Sequence, residues 1–256
     1  MDMQERINTY WSKRADEFGD ARYKDMQGAK REKWTSLIRR HLPDKNTIRA
    51  LDLGTGAGFF SFLLSDLGCE VTGIDYSDEM LKNARINAER LGYRGITFLQ
   101  MDAQDLRLED DSFDFIFTRN VTWTLPDPAR AYREMLRVLK PGGRLMNADA
   151  NYSAGFEEMD RRGWTEKQAG QADKRYACPA QSIEMLRERN DIARSLYVAK
   201  EERPLWDLQI LAEAGAERFW LDLDVNKNIF HVSLPEGASA PRISPEFVLV
   251  AEKACG

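Results

Sequence analysis

The chain has 256 residues, 43% of them hydrophobic and 31% charged, with 37 Lys+Arg against 42 Asp+Glu for a formal charge of −5. A chain of this length can bury a real core as one large domain, so it needs neither disulfides nor a structural metal; three scattered cysteines (Cys69, Cys178, Cys255) and two histidines (His41, His231) argue against both. The acidic balance makes nucleic acid an improbable partner, no run approaches ~18 apolar residues, and the start Met1-Asp2-Met3-Gln4-Glu5-Arg6 is not signal-like, so the expectation is a cytoplasmic globular protein with no membrane segment.

Residues 30–42 carry Trp34, Leu37, Ile38 and Leu42 on one helical face, and Pro43 ends that helix. Ile48 to Leu53 is a short apolar run that stops at Gly54-Thr55-Gly56-Ala57-Gly58. Phe59 to Leu67 then reads as a helix closed by Gly68, and Glu70 to Asp75 as a second strand. Ser77 caps a helix with Asp78 and Glu79 in its first turn, favourable at the positive end of the dipole, and Gly92 stops it. Strands follow over Ile96 to Met101 and Phe113 to Arg119. Next comes a helix with Asp127 as N-cap and Pro128 at its first position, ending at Lys140-Pro141-Gly142-Gly143, and then a strand from Arg144 to Ala150.

Strands alternating with helices imply a parallel sheet covered on both faces. Ala216 to Val225 and Glu246 to Lys253 break that cycle. They are strand-like, with Pro235, Gly237 and Pro241 between them and no crossover helix, so they should pair antiparallel at one edge. Residues 151–204, with Trp164, Cys178-Pro179 and a helix from Ser182 to Val198, read as an insertion over the sheet. The division is therefore an N-terminal helical lid (1–45), a core (46–150 and 205–256) and a cap over the site (151–204).

The glycine loop lies at a strand-to-helix turn, where glycine permits a tight turn and lets a ligand approach bare backbone. Asp75 ends the second strand 21 residues after Gly54, placed to accept from both hydroxyls of a ribose. Asp102 puts a second acid on the same sheet edge. A dinucleotide fingerprint would need glycine at position 59, where Phe59 stands, and a phosphate loop would need a Gly-Lys-Ser/Thr that the chain lacks, so pyrophosphate is not the favoured ligand.

Ala50-Leu51-Asp52-Leu53-Gly54-Thr55-Gly56-Ala57-Gly58 with Gly73-Ile74-Asp75-Tyr76-Ser77-Asp78-Glu79-Met80-Leu81 resembles the class I S-adenosylmethionine-dependent methyltransferases. Met101 to Leu106, Phe113-Asp114-Phe115-Ile116, Leu125-Pro126-Asp127-Pro128 and Glu134 to Gly143 are similar to the small-molecule, "type 11"-like branch. The resemblance covers roughly residues 46–150 and, less tightly, the C-terminal hairpin. It implies a Rossmann-like α/β fold with seven strands in order 3-2-1-4-5-7-6. It further implies that Gly54, Gly56 and Gly58 line the methionine part of S-adenosyl-L-methionine, with Asp52 near its amino group. Asp75 would take the ribose hydroxyls, Tyr76 or Met80 would flank the adenine, and Asp102 with the Ala103 backbone would meet the adenine amino group. Asn120 would lie near the methyl group.

Ahead of the core, Tyr10 to Phe18 reads as an amphipathic helix. It either packs Tyr10, Trp11, Ala15 and Phe18 on the sheet or, as in the resembled branch, brings Tyr10 and Arg14 from one face toward the cofactor's carboxylate. After the fourth strand, Asn120-Val121-Thr122-Trp123-Thr124-Leu125 contains no histidine, so a base of that kind is excluded there; Trp123 either stacks on a ligand or belongs to the core. Asp149 and Asn151 are poor candidates for a metal pair, Cys178 and His231 read as structural, and Arg203-Pro204-Leu205-Trp206-Asp207 either borders the pocket or docks its helix. No catalytic residue stands out. The reading is methyl transfer to an oxygen, nitrogen or sulfur on a small-molecule acceptor, with no metal and an undetermined oligomeric state. The alternatives are an RNA or protein methyltransferase and a cofactor-binding regulator without transferase activity.

Overall fold

A computed structural model describes residues 2–150, 182–223 and 246–255. Three helices, α1 (Met3–Ser12), α2 (Ala15–Asp25) and α3 (Ala29–His41), precede the sheet. There follow β1 (Arg49–Leu53), α4 (Phe59–Asp66), β2 (Glu70–Asp75), α5 (Asp78–Leu91), β3 (Thr97–Gln100), β4 (Phe113–Arg119), α6 (Pro128–Val138) and β5 (Leu139–Asp149). After these come α7 (Ile183–Ser195), α8 (Leu205–Glu213), β6 (Ala216–Asp222) and β7 (Phe247–Lys253).

The seven strands lie in the order β3-β2-β1-β4-β5-β7-β6, parallel except for β7, which runs antiparallel to both β5 and β6. Order and direction are therefore those expected from the sequence. The order reverses between β1 and β4, which opens a crevice at their carboxyl ends where ligands of such sheets bind. Two cores flank the sheet. Trp34, Phe60, Phe62 and Phe117 fill one under α3 and α4; Tyr132, Met135, Leu136 and Leu211 fill the other under α6 and α8.

Local signals set the boundaries. The Ser77 hydroxyl accepts the Met80 amide at 3.2 Å to start α5, and Gly92 ends it at φ 80°. The Asp127 carboxylate accepts the Arg130 amide at 2.9 Å ahead of Pro128. Three expectations need correction. The N-terminal helix is two helices, because the Arg14 amide bonds back to Trp11 rather than to Tyr10 and tightens the chain at Lys13–Arg14. β5 begins at Leu139, and pairing resumes at Arg144 only after Pro141-Gly142-Gly143 has bulged out. The helix expected from Ser182 to Val198 ends at Ser195 and continues as a 3₁₀ turn over Tyr197–Lys200.

Asn151, Tyr152, Phe156, Trp164, Cys178, Val225, His231 and the prolines and glycine of the last connection lie outside the described residues. Among the described residues, no helix is long and apolar enough to cross a membrane, and no group of three or more His, Cys, Asp or Glu could hold a metal ion.

Candidate functional site

The loop after β1 is folded back onto β2. The Gly54 and Thr55 amides both donate to the Ile74 carbonyl at 2.8 Å, the Gly56 amide to the Asp75 carboxylate at 2.8 Å, and the Gly58 amide to the Thr55 carbonyl at 3.0 Å. A phosphate cradle requires such N–H groups to face a ligand. Here all four are already used, so what the loop offers outward is bare Cα surface. All three glycines have positive φ, for different reasons. A Cβ on Gly54 would meet Val121 at 2.2 Å and one on Gly58 would meet Phe62 at 2.6 Å, whereas one on Gly56 would meet nothing within 4 Å. Gly54 and Gly58 are packing positions. Gly56 faces open space, as a cofactor cradle requires.

Two acids flank the loop. Asp52 is buried and accepts the Ser61 hydroxyl at 2.7 Å; Ser61 in turn sits 2.9 Å from the Thr55 hydroxyl. Burial pushes the Asp52 carboxyl up to about 6, against hydrogen bonds from Thr55 and Ser61 that pull it down. Asp75, half-buried, also accepts the Ser77 amide at 2.9 Å; its pKa is raised by desolvation, which the backbone amides partly offset. Both acids give the cradle a negative potential suited to a cationic ligand.

Along the edge, Met80 is buried beside the Ser77 cap and Tyr76 is exposed. Asp102 and Ala103 follow β3, and Ala103 packs in the α6 core. Gln104, which sequence reasoning passed over, organises this corner. Its amide nitrogens on backbone and side chain reach Asp102 at 2.8 and 3.0 Å, its side chain meets Gln4 of α1 at 3.2 Å, and its carbonyl accepts the Asp127 amide at 2.8 Å. Asn120 follows β4 at φ 56°, its amide donating to the Ala148 carbonyl at 3.0 Å. A non-glycine residue at positive φ is uncommon, and asparagine is among those that tolerate it best.

Tyr10 and Arg14 come together as expected, although across the break between α1 and α2: both are buried, and an Arg14 guanidinium nitrogen lies 3.3 Å from the Tyr10 hydroxyl. α1 and α2 rest on α5 through polar contacts. The Ser12 hydroxyl lies 3.0 Å from that of Ser77, the Asn83 amide donates to Asp16 at 3.1 Å, and the buried Asn87 amide donates to the Gly19 carbonyl at 3.0 Å and the Ala57 carbonyl at 3.2 Å. Asn87 thus ties α2 to the glycine loop.

Asp149, at the end of β5, is fully committed. Its carboxylate accepts the Thr122 hydroxyl and the Trp123 amide, and lies 3.3 Å from Arg203; Arg203 also holds Asp207, which accepts the Tyr132 hydroxyl. Burial alone would lower the Arg203 pKa, but Asp149 and Asp207 outweigh it and raise it. This buried network settles Arg203 and Asp207 as docking residues of α8, and the adjoining Trp123 is buried with Ala193 of α7. Only the short Arg203–Asp207 spacing was visible in the sequence; the partners from β5 and α6 lie dozens of residues away. His41 lies at the other end of the sheet, beside Arg144 and Trp220.

Residues 44–204 match the family model described as "Methyltransferase domain". The chain is 38% identical over 99 residues to phosphatidylethanolamine N-methyltransferase of Cereibacter sphaeroides, covering 38% of this chain and 48% of that one. It is 38% identical over 101 residues to the uncharacterized methyltransferase YcgJ of Bacillus subtilis (strain 168), covering 40% of each. The aligned part thus spans about half the length of the curated relatives it matches. The crystal structure of YcgJ superimposes with a TM-score of 0.54 at 19% identity, over 86% of this chain and 98% of that chain, which shows the shared fold.

Proposed function

The chain belongs to the class I S-adenosylmethionine-dependent methyltransferases, and from that premise we propose that it transfers a methyl group to a nucleophile on a small molecule. The observation that carries this reading is the Gly56 cradle, open to a ligand and bordered by Asp52, Asp75 and Asp102 along one sheet edge.

These residues fit the cofactor. Asp75 would hold the ribose hydroxyls and Asp52 the amino group. Tyr76 and Met80 would border the adenine, with Asp102 and the Ala103 backbone at its amino group. Gly54, Gly56 and Gly58 would line the methionine chain, with Tyr10 and Arg14 at its carboxylate. Asn120 would face the methyl group. When bound, the sulfonium supplies an already activated methyl group. The protein's task is then alignment and exclusion of water. α1 and α2 would supply the roof, because α3 is part of the core beneath. Residues 151–181, part of the expected cap, lie outside the described residues. Asp149 is occupied by Arg203, and His41 is remote, so neither serves as a base. This favours an acceptor atom that is nucleophilic without deprotonation, or already deprotonated, at neutral pH.

Incubation with methyl-labelled S-adenosylmethionine and a metabolite extract tests the reading. Label should enter the small-molecule fraction. Label in RNA or protein, or none anywhere, would overturn it.

A further inference from the structure

The two edges of the sheet are finished differently. The β3 edge is a strand of four residues, and the Arg85 guanidinium donates to its Phe98 carbonyl at 3.1 Å. The other edge is β6, irregular only between Ala216 and Arg218. From Arg218 to Leu223 the chain holds neither proline nor lysine, two residues that commonly blunt an exposed edge. Three large apolar side chains stay open there: Trp220 is 38% exposed, Leu221 41% and Leu223 48%. Trp220 is this open although the Arg144 guanidinium lies over its ring at 5.1 Å.

The ladder says which backbone groups of β6 point outward. Along a strand, alternate residues turn their N–H and C=O to opposite neighbours. Ala148 accepts from Asn120 on the β4 side, so Asn147 and Asp149 turn to β7, and Val248, Val250 and Glu252 turn to β6. The Ala254 amide, donating to the Gly215 carbonyl, keeps that alternation. Asp222, Trp220 and Arg218 are therefore satisfied within the sheet, while Phe219 and Leu221 present their N–H and C=O at the edge.

A second copy of this strand, related by a two-fold axis at Trp220, matches that edge. Phe219 and Leu221 then lie opposite Leu221 and Phe219 of the second copy, each pair exchanging two backbone hydrogen bonds. Trp220 faces its own counterpart, and on either side of it Arg218 faces Asp222. These are non-hydrogen-bonded pairs, in which side chains approach most closely. Moving the axis to Phe219 or Leu221 puts Trp220 opposite Arg218 or Asp222 and breaks the charge match. Arg218 already meets Glu252 on β7, yet its side chain is 63% exposed and open to a further acid. We propose that β6 is the interface of a homodimer in which two sheets join antiparallel edge to edge, with Trp220 on the axis. The interface is isologous, so it closes at two copies. β6 lies three places from β4 in the sheet, which leaves the crevice of each copy open.

Sedimentation velocity of the full chain, from micromolar to hundreds of micromolar, should show a reversible monomer–dimer equilibrium. Arg218→Glu and Asp222→Lys test the register. Each alone places like charges opposite each other twice, and should dimerise at least about tenfold more weakly than wild type. Mixed in equal amounts they restore both opposite-charge pairs, and should form a heterodimer about as tight as the wild-type dimer. Trp220→Cys gives an independent reading: on the axis, it should form a disulfide-linked dimer on mild oxidation that wild type, with its own cysteines, does not. Wild type that stays monomeric throughout would overturn the interface, as it would if this edge is covered within the chain instead. So would charge variants that each dimerise as wild type does, or a folded pair that gains nothing on mixing. Should a charge variant not fold, Trp220→Cys decides, and its failure to cross-link refutes the two-fold at this residue.

Discussion

Asp75 accepts the Gly56 amide at 2.8 Å, so the acid that ends β2 fixes the middle of the loop that follows β1. One carboxylate thereby shapes the cradle, and in its proposed role its remaining lone pairs would accept from a ribose. Asp75→Ala should lower S-adenosylhomocysteine affinity roughly 10- to 100-fold, the equivalent of about 1.5–3 kcal/mol for a pair of charge-assisted hydrogen bonds. Asp75→Asn should lie between, since its amide oxygen can still accept from Gly56. Calorimetry decides; undiminished affinity in the alanine variant, or NAD binding by wild type, would refute the role.

Gly56 and Gly54 should fail in different ways. At Gly56 a side chain has room but a φ of 54°, a strain of about 1–3 kcal/mol, so Gly56→Val should fold, by circular dichroism, and lose cofactor binding. At Gly54 even a methyl group overlaps Val121, so Gly54→Ala should melt at a lower temperature with or without ligand. Normal binding by Gly56→Val would reduce the loop to a turn.

What the sequence disclosed follows from how far apart the partners lie along the chain. The individual strands and the positions of the glycine loop, Asp75 and Asp102 at their ends were legible because each is written in a contiguous run with its own turn or cap, whereas the strand order came from the family resemblance. The Ser77 cap and the Asp127-Pro128 start were legible for the same reason. Gln104 and Asn87 were not, since each acquires meaning only from residues dozens of positions away: Gln4 and Gly19. Asp149 could be placed at the functional edge, yet its salt bridge to Arg203 depends on α8 docking against the end of β5. The break at Lys13–Arg14 carries neither proline nor glycine to announce it.

Asp52 makes stability and binding depend on pH in opposite ways. Its folded pKa, about 6, lies above the ordinary carboxylate value of 3.8, so the folded state holds the extra proton between those values. The resulting stabilisation is present below about pH 4 and is lost as pH rises through 6. Asp52→Asn should therefore raise the melting temperature at pH 7, by as much as ~3 kcal/mol of stability, and change it little at pH 4. Binding of S-adenosylhomocysteine should weaken as pH falls through 6 in wild type and stay flat in the variant. A pH-independent wild-type affinity would remove Asp52 from the amino group.

Arg203 neutralises two buried acids at once. Arg203→Met leaves Asp149 and Asp207 facing each other without a cation, at a cost of about 3–5 kcal/mol, or a fall of roughly 10 °C in melting temperature. Replacing Asp207 by Asn as well should recover part of that loss, because one buried charge goes with it. A single variant as stable as wild type would show that these buried ion pairs contribute no net stability.

Against α5 and the sheet edge the seam under α1 and α2 is polar, with Ser12 on Ser77, Asp16 on Asn83, Gly19 on Asn87 and Gln4 on Gln104, whereas against α7 it combines Arg6 on Glu188 at 2.7 Å with an apolar cluster of Ile7, Tyr10, Ile192 and Leu196. Net contributions of about 0.5–1.5 kcal/mol per hydrogen bond hold these helices down without making their docking irreversible. Covers of this kind are drawn from the least stable parts of a fold. Limited proteolysis of the ligand-free protein should therefore cut first within residues 1–30, and S-adenosylmethionine should slow those cuts. Deleting residues 1–18 removes Tyr10 and Arg14 with α1 and should abolish most activity, while circular dichroism still reports the sheet. Asn87→Leu is the sharper test, because it severs α2 from the glycine loop without touching the ligand-facing residues. It should speed cleavage in residues 1–30 and raise KM for the cofactor more than it lowers kcat. If the truncated protein turns over normally, or the ligand leaves the cleavage pattern unchanged, α1 and α2 only pack, and Tyr10 and Arg14 leave the site.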